Sequence, residues 1–175
     1  MITSELVKDI RDQFLIDWNG IHGISHWARV YDIGMKLAKN TSANKNVVQL
    51  FSVFHDSGRL NEGSDPKHGQ RGAKLAVTYR QTHLYSLSDE EFNLLHTACC
   101  LHTSTLNHPD MTIQTCFDAD RLDLGRVSTV PDPQYLCTDK AKSADMIAWA
   151  SQNSEIGCIP SNILGDIALS GRIQS

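Results

Sequence analysis

The stretch from Val47 to Phe54 is apolar almost all round, and it ends on two side chains that do not belong in a dry interior, His55 and Asp56. A helix without a polar face has to lie at the centre of its domain. An imidazole and a carboxylate buried at its end are unfavourable unless they are paired or hold a metal ion. Two adjacent residues do not share a helical face. The doublet can therefore serve one ion only if the helix becomes irregular there or the two side chains flank the ion. Either way it needs partners, and the sequence offers His26 upstream and His68, His102 and Asp120 downstream.

The rest of the chain reads as helices around that centre. Val7, Ile10, Phe14 and Trp18 recur on one helical face, with Asn19-Gly20 as the stop. His26, Val30, Ile33 and Leu37 form the next stripe. A polar loop over 60–68 leads into a helix expected over 69–82. Ser88 and Glu91 have the spacing of a capping box, and the helix they open carries Phe92, Leu95, Cys99 and His102 on one face. A short helix is expected over 112–124, then a break at Pro131-Asp132-Pro133 and one last helix over 138–151. The tail, with Gly157, Pro160, Gly165 and Gly171, reads as irregular. No strand is expected. The fold class is all-α: a single helical bundle over 1–175, with its core at about 20–128 and a C-terminal helix and tail over 129–175.

Bulk properties narrow the function. A net charge of −4 argues against affinity for a nucleic acid polymer or an anionic membrane surface. No apolar run approaches the roughly 18 residues of a membrane span. The N-terminus reads as amphipathic helix and not as a signal peptide. The five cysteines contain no Cys-x-x-Cys pair, which is poor material for a disulfide framework or a zinc ribbon and suits a reduced, cytoplasmic protein.

Each candidate ligand has a bland reading as well. A single histidine on an apolar stripe, as His26 is, is more often a satisfied core residue than a ligand. On the helix from Ser88, His102 lies near the centre of the apolar face and at the helix end, whereas His96 lies on the flank. His68 opens a helix just after the polar loop. His22 and His108 carry no comparable signal, and His83 reads as surface. Among Asp118, Asp120 and Asp123, only Asp120 shares the face of Ile113 and Cys116, so it is expected to point inward. Asp118 and Asp123 are expected to cap, to pair with Arg121 or Arg126, or to support the ligands from behind. Jointly these residues specify a mixed imidazole and carboxylate set, which suits Zn, Mn, Fe, Co or Ni better than Ca.

In these contexts, His22-Gly-x-x-His26-Trp-x-x-Val30, Phe54-His55-Asp56 and Asp118-Ala-Asp120-Arg-Leu-Asp123, the chain resembles HD-domain proteins over about residues 20–128. These are metal-dependent phosphohydrolases named for their His-Asp doublet. The resemblance implies His26, His55, Asp56 and Asp120 as ligands of one ion, with His68 and His102 added where a second ion binds. In some two-ion members the second of the two intervening helices carries a His-His pair, whereas this chain has Thr103 after His102. The implied activity is hydrolysis of a small phosphorylated substrate, such as a nucleotide, by metal-activated water, with Asp56 holding or bridging the ions. Arg59 and Arg71 are expected to face the transition state, and Arg59, Lys67, Arg71 and Arg121 to bind substrate. The loop 60–68 and the segment after Pro131 are the expected walls of the pocket. A di-iron oxygenase on the same scaffold and a non-catalytic nucleotide-sensing module are the alternatives.

Overall fold

The computed structural model describes residues 2–39 and 41–170. Among them there is no strand, and the chain is all-α, as its periodicity requires. The α-helices are α1 (Ser4–Arg11), α2 (Ile24–Ala38), α3 (Lys45–Phe54), α4 (His68–Thr78), α5 (Asp89–Leu101), α6 (Met111–Arg121), α7 (Asp139–Lys142), α8 (Ala144–Glu155) and α9 (Ile163–Ser170). A 3-10 segment, Leu122–Val127, continues α6, and another spans Pro133–Tyr135. No helix of the described residues is long and apolar enough to cross a membrane.

The apolar run sits where its composition puts it. α3 packs against α2, α4, α5 and α6. Every one of its residues from Val47 to Phe54 is buried except Gln49. Burying each such Val, Leu or Phe contributes roughly 1.5–3 kcal/mol. Its start is fixed by Asn44, whose side chain accepts hydrogen bonds from the backbone of Asn46 and Val47. Glu91 ties that start to α5. It completes the capping box with Ser88 and also accepts from the side-chain amides of Asn44 and Asn46.

The helix borders differ from the sequence reading in four places. α1 stops at Arg11 instead of running to Asn19. Phe14 and Trp18 lie in the following loop, where they make edge-to-face contacts with each other and with Trp27. Aromatic packing put them on the apparent stripe, not helical periodicity. The helix expected over 69–82 is α4, which ends at Thr78. The single helix expected over 138–151 is two, because Thr138 caps α7 and Ser143 caps α8, and each cap restarts the chain. The tail expected to be irregular contains α9, which packs on α2; Gly171 lies outside the described residues.

Candidate metal centre

Each side chain of the expected set comes from a different place on the bundle, and all of them converge at one end of α3. His26 lies in the first turn of α2. His55 is the C-cap of α3, and Asp56 follows where the chain has left the helix. That departure resolves the problem of an adjacent pair, because the two side chains are no longer fixed 100° apart on a cylinder. His68 is the first residue of α4, His102 is the C-cap of α5, and Asp120 lies in the last turn of α6. His26, His55, Asp56, His68 and His102 are all buried, and the Asp120 side chain is 21 % exposed.

Two groups of donor atoms meet at Asp56. On one side, His26 Nε2 is 3.0 Å from His55 Nε2 and 3.4 Å from Asp120 Oδ1. His26 Nε2 is 3.6 Å from Asp56 Oδ2, and His55 Nε2 is 3.8 Å from both Asp120 Oδ1 and Asp56 Oδ2. On the other side, His68 Nε2 is 2.9 Å from His102 Nε2 and 2.9 Å from Asp56 Oδ1. The two oxygens of Asp56 thus face opposite groups.

The second nitrogen of each ring decides what these contacts are. His26 Nδ1 donates to Asp123 Oδ2 at 2.7 Å. His55 Nδ1 lies 3.1 Å from the carbonyls of Phe51 and Ser52. His68 Nδ1 donates to the Asp65 carbonyl at 2.6 Å, and His102 Nδ1 to the Cys99 carbonyl at 2.8 Å. A neutral imidazole whose Nδ1 carries the proton has a bare lone pair at Nε2. Four bare nitrogens therefore face one another in two pairs, at 3.0 Å and 2.9 Å. Neither pair can be a hydrogen bond in that tautomer, and lone pairs this close repel unless a cation lies between them. Donor atoms that share an ion at about 2.1 Å are separated by such distances. The groups His26, His55 and Asp120, and Asp56, His68 and His102, could each hold a metal ion.

Electrostatics keep the donors in ligating form. Burial drives the His55 pKa down to about 3, so the ring is neutral near pH 7. Burial lowers that of His102 as well. Burial opposes charge on Asp56 and Asp120, but the imidazoles around them outweigh it and hold both carboxyls below the ordinary carboxylate range.

Of the aspartates after Phe117, Asp123 takes one of the roles expected of it, behind His26, but Asp120 is not the only one that points inward. Asp120 reaches the cluster, but Asp118 and Asp123 are more deeply buried than it is. Asp118 accepts from the backbone of Cys137 and Thr138 and from the Thr138 hydroxyl, which fastens the segment after Pro133. Burial leaves its carboxyl raised despite those bonds. Asp123 supports His26 and also accepts from Arg29 Nε at 2.6 Å and Ser154 Oγ at 2.5 Å. Asp123 leaves the helical register of Asp120 and turns inward because the helix loosens into 3-10 geometry at Leu122.

His22, which carried no signal in the sequence, is buried, and its Nδ1 lies 2.9 Å from Asp56 Oδ2. It precedes α2, so no helical stripe could point to it; its position four residues before His26 was the available sign. His83 is half-buried at the surface, with its Nε2 2.8 Å from a carboxylate oxygen of Asp9. His96 sits half-buried beside Cys100, on the flank as expected.

The arginines divide. Arg59 is buried, donates from Nε to Asp56 Oδ1 at 2.9 Å and from Nη1 to the Gly63 carbonyl, and lines the cavity over the cluster. Arg71 is not brought to the cluster: its guanidinium is bound to the Gly58 carbonyl and to Asp65, so it pins the loop ahead of α4. Lys67 is exposed at the start of α4 and does not line that cavity. Arg121 lines it, with its terminal nitrogens donating to the carbonyls of Thr105, Leu106 and Tyr135. Arg126, not singled out for substrate, also lines it and donates to the carbonyls of Ile21 and Asp123.

The cavity over the cluster holds about 350 Å³ and is walled by His22, Asp56, Glu62, His68, Thr103 and Asp120, among others. Beyond Thr103, Arg121 and Leu124, a second cavity of about 440 Å³ runs along Leu106, Pro131 and Tyr135. Of the two segments expected to form the pocket walls, the loop 60–68 lines the cavity over the cluster through Glu62, Gly63 and His68, whereas the segment from Pro131 lines only the second cavity. No family model, curated protein or solved structure matches the chain, so the site rests on its own chemistry.

Proposed function

We propose that this cluster is the dinuclear metal centre of an HD-type phosphohydrolase acting on a small phosphorylated substrate. The observation that carries the reading is the pair of opposed, bare Nε2 couples on either side of Asp56. His26, His55, Asp56 and Asp120 would hold one ion, and Asp56, His68 and His102 the other. The mixed nitrogen and oxygen set suits Mn, Fe, Co, Ni or Zn. Bound there, such ions supply Lewis acidity toward a phosphoryl oxygen and a water acidified toward neutrality. Thr103 is exposed at the cavity wall, so the second group has two imidazoles and one shared carboxylate.

The chain's own part is to position and to compensate charge. Arg59 and His22 fix the Asp56 carboxylate from two directions. The Nη2 groups of Arg59 and Arg126 donate to nothing among the described residues, and both arginines line the cavity, where an anionic phosphoryl group would take their protons. The test is the metal content of protein purified without added metal or chelator, wild type beside Asp56→Ala, followed by phosphate release from a phosphomonoester panel. About two equivalents lost in the variant, with phosphate release by wild type, are expected. No metal in wild type after reconstitution would overturn the centre. Iron with oxygen uptake and no phosphate release would favour the oxygenase alternative.

A further inference from the structure

Glu62 stands apart in the cavity. Both of its carboxylate oxygens are buried, and neither has a hydrogen-bond partner among the described residues. It lines the same wall as His22, Asp56 and Arg59, yet it belongs to none of the groups that could hold an ion. A carboxylate withdrawn from water without a donor is unfavourable. The surroundings hold it there nonetheless. The loop that carries it is pinned by Arg59 to the Gly63 carbonyl, by the Leu60 amide to Asp65, and by Arg71 to both Gly58 and Asp65. Gly20 makes the room: a Cβ at that position would lie 2.3 Å from Glu62 Oε1.

We propose that Glu62 is a specificity-determining residue that accepts a hydrogen bond from a protic group of the substrate, a hydroxyl or an ammonium, carried beside the phosphoryl group. This rests on the phosphohydrolase reading for the phosphoryl part only. The substrate is then a phosphoester with a donor within a few bonds of phosphorus, because the metal ligands and Glu62 border one small cavity.

The first measurement needs no substrate. An unpartnered carboxylate destabilises the free protein, so Glu62→Met raises the Tm of the metal-free chain. A lowered Tm would mean that the carboxylate has a partner within the protein, and would overturn the assignment. Metal content of the variant is expected to match wild type; loss of an equivalent would make Glu62 a ligand and overturn it too. Binding of ethyl phosphate, 2-hydroxyethyl phosphate and O-phosphoethanolamine to the metal-loaded protein then tests the chemistry by calorimetry. Wild type is expected to favour at least one donor-bearing ester over ethyl phosphate by about tenfold or more. Glu62→Met and Gly20→Ala, which displaces the carboxylate, are expected to erase that preference. Glu62→Gln separates the sources: a hydroxyl preference survives it, an ammonium preference does not. Esters bound with no preference, or with the same preference in Glu62→Met, would overturn the role of Glu62 and leave the phosphohydrolase reading intact. If none of the three binds while metal is retained, the phosphoester reading is overturned, and with it the substrate proposed for Glu62.

Discussion

Asp123 Oδ2 lies 2.7 Å from His26 Nδ1, and the same carboxylate takes the guanidinium of Arg29 at 2.6 Å and 3.1 Å. All three groups are buried, and Asp123 and His26 have no exposure at all. One side chain thus sets the tautomer of a ring in the proposed metal centre and neutralises a buried cation. Asp123→Asn is expected to affect both. Loss of such a support weakens metal affinity by about 10–100-fold. A buried charge left unpaired costs about 3–5 kcal/mol. Metal titration and urea unfolding of the variant check the two effects separately. Unchanged affinity would show that Nδ1 of His26 does not need the carboxylate.

The bridging position of Asp56 predicts an asymmetry among single variants. His68→Ala and His102→Ala each remove one donor from one group only. They are expected to leave about one equivalent of metal, as is His26→Ala from the other side. Asp56→Ala is expected to lose both. Elemental analysis after dialysis reads the difference directly. Complete loss in all four variants would indicate that neither group holds an ion alone.

Gly69 shows how closely α4 must approach α5 to bring His68 and His102 together. A Cβ there would lie 2.2 Å from the Cys99 carbonyl and 2.6 Å from the His102 ring. The obstacles are backbone and a fixed imidazole, so neither yields readily. Gly69→Ala is expected to destabilise by about 1–3 kcal/mol, as overpacking does, and to lower occupancy of the His68 group. Chemical denaturation together with metal content checks it. A wild-type midpoint would mean that the helices can separate freely.

The arrangement of the helices around α3 was legible because a helix apolar on every face admits one location. The convergence of His26, His55, Asp56, His68 and His102 on one cluster was legible for a related reason: buried polar groups demand an explanation. The supporting role of Asp123 was among those open to it, but its full burial was not legible, since its inward turn depends on the change to 3-10 geometry after α6. His22 was not, because it lies in a loop where periodicity carries no information. Arg71 misled because adjacency to a ligand in sequence does not fix where a long side chain ends; here two oxygens of the preceding loop take it first.

The neutral imidazoles also predict how the metal-free protein responds to acid. In the unfolded chain a histidine takes up a proton near pH 6.5. Folded, burial holds His55 unprotonated down to about 3. Below pH 6.5 the unfolded state therefore binds a proton that the native state does not, and stability falls as pH falls through that window. This one group contributes a slope of up to about 1.4 kcal/mol per pH unit. His102, also lowered by burial, adds in the same direction. Asp32 and Asp118, whose carboxyls burial pushes up, act in the opposite sense. Urea unfolding of chelator-treated protein at pH 7 and pH 5 reads the sum of these effects, and the difference between wild type and His55→Phe isolates that of His55, with a smaller fall expected in the variant. A fall between the two pH values that is the same in His55→Phe as in wild type would mean that His55 takes up its proton as readily folded as unfolded, which is incompatible with a bare Nε2 facing His26.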